Sequence, residues 1–178
     1  MSAEKHSIEI RPARPVEAEE IAACLALAFE PFRAQYTEGA FEDTVLSPES
    51  LRRRMDRMTV YIAVADGREI VGTLAAEASN KEGHLRGMAV RPEWQGHHIA
   101  EQLLAKAEND LRKAGCISVT LDTTLPLQRA AHFYTKNGFS PSGKVTDFFG
   151  MPLYEFAKLW SSETPPPAPA SDRSIDRS

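Results

Sequence analysis

From Met88 to Gly115 the spacing of hydrophobic positions changes from the two-residue period of a strand to the 3.6-residue period of a helix. Met88-Ala89-Val90 ends an apolar strand, Arg91-Pro92 turns the chain, and Gly96 lies in the short polar loop that follows. Ile99, Leu103, Ala107 and Leu111 then recur at helical spacing, with Ala100, Leu104 and Ala114 widening the same stripe. Gly115 stands where a C′ glycine belongs, and Glu108 with Arg112 has the spacing of an outward i,i+4 pair. A strand, a glycine-bearing turn and a helix start in this order leave several backbone N–H groups unpaired at one point. The helix dipole makes that point attractive to anions, phosphates above all.

Upstream, Ile8 to Pro12 alternates like an edge strand stopped by proline. An amphipathic helix is predicted from Pro15. Glu17, Glu19 and Glu20 favour its N-terminus, and Ile21, Cys24, Leu25 and Ala28 form its apolar face. Glu30-Pro31 ends it. Residues 32–46 carry Phe32, Tyr36 and Phe41 without a clear period and read as a loop or short helix. Ser47 as cap and Pro48 at the first helical position open another helix. It carries Leu51, Met55 and Met58 inward and Arg52, Arg53, Arg54 and Arg57 mostly outward. Residues 59–65, 69–78 and 84–90 read as consecutive antiparallel strands, the first two joined at Asp66-Gly67. Residues 117–122 follow a helical crossover and should run parallel to 85–90. A helix over 127–137, packing Ala130, Ala131, Phe133 and Tyr134, is capped by Gly138. Residues 144–149 and 153–159 close the sheet as a hairpin.

The length of 178 residues accommodates one domain, expected over 1–160, and a tail over 161–178. That tail clusters Pro165, Pro166, Pro167 and Pro169 around little apolar surface, so it is expected to be disordered. A net charge of −4 argues against a nucleic-acid partner. Cys24 and Cys116, each among apolar neighbours, read as buried reduced thiols and make no metal site by themselves. The absence of a signal peptide, lipidation motif or long apolar run predicts a cytosolic chain without a membrane partner.

The run Val90-Arg91-Pro92-Glu93-Trp94-Gln95-Gly96-His97-His98-Ile99-Ala100 resembles the acetyl-CoA loop of the GNAT superfamily of N-acetyltransferases. A second run, Ala130 to Phe139, resembles the family's A-x-x-x-Y-x-x-x-G-F, and the likeness covers roughly residues 8–159. The resemblance implies an α/β (α+β) fold with a mixed, mostly antiparallel sheet of six or seven strands and about four helices. It implies acetyl-CoA as co-substrate and an amine acceptor; no metal is expected, because His97 and His98 lack carboxylate or cysteine partners at ligand spacing. It further implies that the main chain of Met88, Ala89 and Val90 pairs with the pantetheine arm. Gln95, Gly96, His97, His98, Ile99 and Ala100 would then form the diphosphate loop. The family's glycine falls on His98, and its frequent asparagine before the last helix falls on Leu127; both are departures.

Acetyl transfer from a thioester to an amine requires positioning, a polarised carbonyl, a base for the amine and an acid for the thiolate. Tyr134, at the family's tyrosine, is the expected acid; the bland alternative is a half-buried aromatic with a wet hydroxyl. Arg86 stands where several family members carry the acidic base, which leaves Glu77, Glu82, His84 and Asp122. His84 has the pKa best suited to the task. The arginines at 52–57 read as a solvated helix face, while Phe32, Tyr36 and Trp94 either line an acceptor cleft or simply pack. The expected function is direct N-acetylation of a primary amine. The alternative is a non-catalytic GNAT-fold acyl-CoA-binding or sensing module. A homodimer through an edge strand near the C-terminus stays open.

Overall fold

Three tight hairpins organise the sheet. Asp66 and Gly67 (φ 51° and 67°) join β2 (Thr59–Ala65) to β3 (Glu69–Ser79), and Asn80 and Lys81 (φ 50° and 64°) join β3 to β4 (Glu82–Val90). Phe149 and Gly150 (φ 50° and 85°) join β6 (Ser140–Phe148) to β7 (Met151–Leu159). Paired left-handed residues give a turn whose twist matches that of the strands it connects. The structure, a computed structural model, describes residues 5–160; the expected disordered tail over 161–178 lies outside the described residues.

With β1 (Ile8–Pro12) and β5 (Ser118–Thr124), the strands form one seven-stranded sheet in the order β1-β2-β3-β4-β5-β7-β6. Only β4 and β5 are parallel, because the helix α4 (Ile99–Lys113) carries the chain between them. Both faces of the first strands are covered. Tyr61, Ala63 and Ala65 pack toward α4 with Ile99, Leu103 and Ala107, while Val60, Ile62 and Val64 pack toward α1 (Ala18–Phe29) and α3 (Pro48–Met55). A strand buried on two sides reads as the continuous apolar run seen at 60–65. Residues 32–46 become the end of a 3-10 helix (Glu30–Gln35) and a short α2 (Glu38–Thr44) capped by Thr37. A fifth helix, α5 (Gln128–Lys136), precedes the last hairpin.

Some expectations change. Ala114 is exposed, so the stripe of α4 ends at Leu111. Glu108 meets Lys158 of β7 at 2.9 Å rather than Arg112, whose guanidinium lies 5.8 Å from the Trp160 ring centroid. The sheet face under α4 supplies a better-buried partner than the helix itself. The last strand, β7, sits inside the sheet, and its hairpin mate β6 is the edge. Both cysteines are free and buried, and no helix among the described residues is long and apolar enough to cross a membrane.

Glu17 fastens β1 to the start of α1. Its carboxylate accepts from both terminal nitrogens of Arg11 (2.6 and 3.0 Å) and from the backbone N–H of Arg14 (2.8 Å). The Arg11 bonds outweigh burial and pull the Glu17 carboxyl down to about 2. This contribution is fully present above the ordinary value of 4.5 and is lost as pH falls through about 2. Glu17→Gln is therefore expected to lower unfolding free energy by about 2 kcal/mol at neutral pH. Denaturant titrations of both proteins should show the gap shrinking as the pH is lowered from 4.5 toward 2.

Candidate active site

Pairing between β4 and β5 stops at Leu85↔Leu121. Beyond that point β4 stays with β3 (Arg86↔Ala75, Ala89↔Thr73) and β5 stays with β7 (Asp122↔Glu155, Thr123↔Tyr154). The parallel contact expected over 85–90 is thus confined to Glu82–Leu85. The cause is a bulge: between Ala75 and Thr73 the partner strand advances by one extra residue, at Gly87-Met88, with Gly87 at φ 66°. A Cβ there would also come within 3.1 Å of Arg54 Nη1. The diverging strands open a cleft of about 1040 Å³ that passes between the sheet, the start of α4, α5 and the α1–α3 side.

At one end of the cleft, α4 begins with its donors free. The N–H groups of Ile99, Ala100 and Glu101 precede the first intrahelical bond of the helix, and those of 96–98 make no backbone hydrogen bond to the described residues. His98 caps the helix at φ 59° and ψ 25°, with no side-chain cap bond. The left-handed backbone explains why a glycine suits this position. Its imidazole is exposed and lies 3.6 Å from the Glu101 carboxylate. Gln95 donates to the Val90 carbonyl (3.4 Å). Gln95, Gly96, His98, Ile99 and Ala100 line the cleft with Met88, Ala89 and Val90; His97 instead leans on the Trp94 ring, 5.5 Å away, outside it.

Deeper in, Tyr134 is 7% exposed, with its ring edge-to-face with Phe133 and Phe139. Burial alone shifts its phenol well above the usual 10, so it is protonated throughout the neutral range. Thr123 adds a second hydroxyl, buried and without a hydrogen-bond partner among the described residues. Two hydroxyls on one cleft wall with little to bond inside the protein fit an elongated ligand that carries amide groups. Leu127 at the start of α5 offers no side-chain cap, consistent with its departure from asparagine.

On the other side of the wedge, His84 Nδ1 is 2.9 Å from Thr120 Oγ1 and its Nε2 is 3.6 Å from Asp122 Oδ2. Burial lowers its pKa below the usual 6.5, against the pull of Asp122. Asp122 lines the cleft and His84 stands just behind it; Glu77 and Glu82 line no part of it. Phe32, Tyr36 and Trp94 do line it, and Tyr36 Oη is 2.7 Å from Thr124 Oγ1, tying the segment before α2 to β5. Arg54, expected to be solvated, is half-buried in the same wall. Its spacing from Leu51 and Met58 puts it on the inward helix face, a signal present in the sequence. Thr123 and Gly87 were the other residues missed; a glycine inside a strand is a recognised mark of a bulge.

The model of the Acetyltransferase (GNAT) family matches residues 19–139. Aminoglycoside N(6')-acetyltransferase type 1 of Stenotrophomonas maltophilia is 33% identical over 75 residues, 42% of this chain and 48% of that protein. Aminoalkylphosphonate N-acetyltransferase of Salmonella typhimurium is 31% identical over 87 residues, 46% of this chain and 56% of that one. The chain therefore spans about half the length of these curated relatives. The PaiA N-acetyltransferase of Thermoplasma acidophilum, solved in complex with coenzyme A, shares the fold. Its TM-score is 0.75 at 22% identity, over 86% of this chain and 99% of that one. The ribosomal-protein-S18-alanine N-acetyltransferase of Escherichia coli gives 0.68 at 14% identity, over 89% and 99%.

His98→Gly relieves the left-handed backbone but adds freedom to the unfolded chain, so thermal unfolding should show stability unchanged or raised by up to about 1 kcal/mol. His98→Val, β-branched at a positive φ, should lose about 1–2 kcal/mol. Equal losses in the two variants would contradict the left-handed cap.

Proposed function

Because the chain belongs to the Acetyltransferase (GNAT) family, we propose that it transfers the acetyl group of acetyl-CoA directly to a primary amine of a small molecule, amino acid or peptide. The observation that carries this reading is the wedge itself. Free donors at Gly96 and at 98–101, the freed edge of β4 at Met88–Val90 and the Thr123 and Tyr134 hydroxyls all border one continuous cleft. Such a line of groups suits a molecule with a diphosphate at one end and an amide-bearing arm leading to the other.

When bound, acetyl-CoA supplies a thioester whose carbonyl carbon accepts the amine and whose sulfur departs. The N–H groups of Gly96, His98, Ile99 and Ala100 hold the diphosphate, with the α4 dipole aiding them. Gln95 keeps the loop on β4 by its bond to Val90. The main chain of Met88, Ala89 and Val90 orients the arm and offers an N–H to the carbonyl oxygen. Tyr134, protonated at neutral pH, donates its proton to the departing sulfur. His84, neutral at physiological pH, accepts the proton the amine loses, through Asp122 or a water in the wedge. His97 takes no direct part in this scheme.

A panel of amines with coupled thiol detection tests the activity. Acetyl-CoA-dependent thiol release with at least one amine is expected; a thermal shift with acetyl-CoA but no release on any amine would instead favour a sensing module. Tyr134→Phe should lower kcat by about 10²-fold or more while the acetyl-CoA Kd stays within about twofold. An unchanged kcat, where chemistry limits the rate, removes Tyr134 from the role. With a weakly basic acceptor, kcat/KM should fall as pH drops through a value below 6.5, where His84 becomes protonated. His84→Gln should abolish that limb; its persistence would assign the base elsewhere.

A further inference from the structure

Arg54 stands half-buried in the wall of the cleft that Phe29, Phe32 and Tyr36 also line, and its guanidinium makes no hydrogen bond or ion pair to any described residue. Its neighbour Arg86 donates from Nη2 to Asp43 Oδ2 at 2.9 Å, which occupies the nearest carboxylate. Two guanidiniums against one carboxylate leave one positive charge in a partly desolvated wall. Burial, and after it the Arg86 charge, lower the Arg54 pKa to about 10, with Asp43 opposing; the group is still charged at neutral pH. A cation withdrawn from water and left unpaired is costly, and an entering anion offsets that cost.

Position says whose anion it is. Arg54 belongs to α3, which packs on the sheet face opposite α4, so it is separate from the free amides at 96–101. Its Nη1 lies 3.1 Å from where a Gly87 side chain would begin, at the bulge that opens the wedge. Across the wedge stands Asp122, one residue beyond the last β4–β5 pair, while Gly87 is two beyond it. Strand spacing and rise put these two backbones roughly 6 Å apart or somewhat more. A carboxylate on one wall and an unpaired guanidinium on the other match a short molecule with an ammonium at one end and an anion at the other.

We infer that Arg54, with Arg86 beside it, holds an anionic group of the acceptor, so that the amine acetylated is a small amino acid or aminoalkyl acid. This rests on the acetyl-transfer reading and names its substrate class. The shared chemistry is a primary amine a few bonds from a carboxylate or phosphonate.

Thiol release and isothermal titration in the presence of CoA, using the full chain, test it with β-alanine, 2-aminoethylphosphonate, β-alaninamide and propylamine. Wild-type protein should favour at least one of the two anionic amines over both uncharged ones by about tenfold or more in kcat/KM. The stronger of the two identifies carboxylate or phosphonate. Arg54→Gln should erase that preference with the KM for acetyl-CoA within about twofold of wild type, and Arg54→Lys should recover part of it. Equal or better use of the neutral amines by wild type overturns the proposal, and does so without any variant. So does an Arg54→Gln effect confined to acetyl-CoA. If none of the four releases thiol, titration alone decides: tighter binding of an anionic amine, lost in Arg54→Gln, upholds the anion site, and equal binding overturns it.

Discussion

The arrangement depends on a hydrogen-bond ladder that stops early. β4 and β5 are parallel neighbours for four residue pairs, and then each strand keeps its outer partner and abandons the other. Parallel strands buried on both faces would normally zip to their ends, since unpaired backbone groups are costly away from water. Here the extra residue at Gly87-Met88 bends β4 away and leaves a strand edge free along the cleft. The same divergence brings the start of α4, the Tyr134 and Thr123 hydroxyls and the α3 arginine to one cleft.

The two sides of that cleft have different electrostatics. Toward α4 the donors are backbone amides, uncharged and fixed by the helix, which suits a diphosphate that any substrate pair would share. Toward α3 the groups are side chains: Arg54, Arg86, Asp43 and Asp122. Side chains can be changed without disturbing the fold, so the proposed reading assigns acceptor choice to that wall. Burial acts on both the proposed acid and the proposed base, raising Tyr134 and lowering His84, and in each case it favours the neutral form that the proposed role requires.

Much of this was legible along the chain because the signals are local. The periodicity of Ile99, Leu103, Ala107 and Leu111 gives α4, Asp66-Gly67 gives the first hairpin, and Ser47-Pro48 gives the start of α3. The resemblance implied a mixed, mostly antiparallel sheet of six or seven strands, and the helical crossover before 117–122 predicted its parallel pair; the seven-stranded sheet has both. What escaped was set by distant partners. The short α2 is docked by the Thr37 hydroxyl donating to the Phe149 carbonyl (2.7 Å), a contact no local period encodes. Glu108 chose Lys158 across the sheet over Arg112 one turn away. Arg54 was hidden among arginines of the same helix, although its spacing from Leu51 pointed inward. The site residues implied by the resemblance fall on the cleft except His97, beside Trp94; His84, chosen for its ordinary pKa, stands behind Asp122.

The most direct measurement is a two-dimensional amide NMR titration of the protein with acetyl-CoA. The account predicts that the largest shifts fall on the amides of 96–101, on Met88–Val90 and on Thr123, with β1 and β2 nearly silent. Large shifts elsewhere with silence at those amides would contradict it.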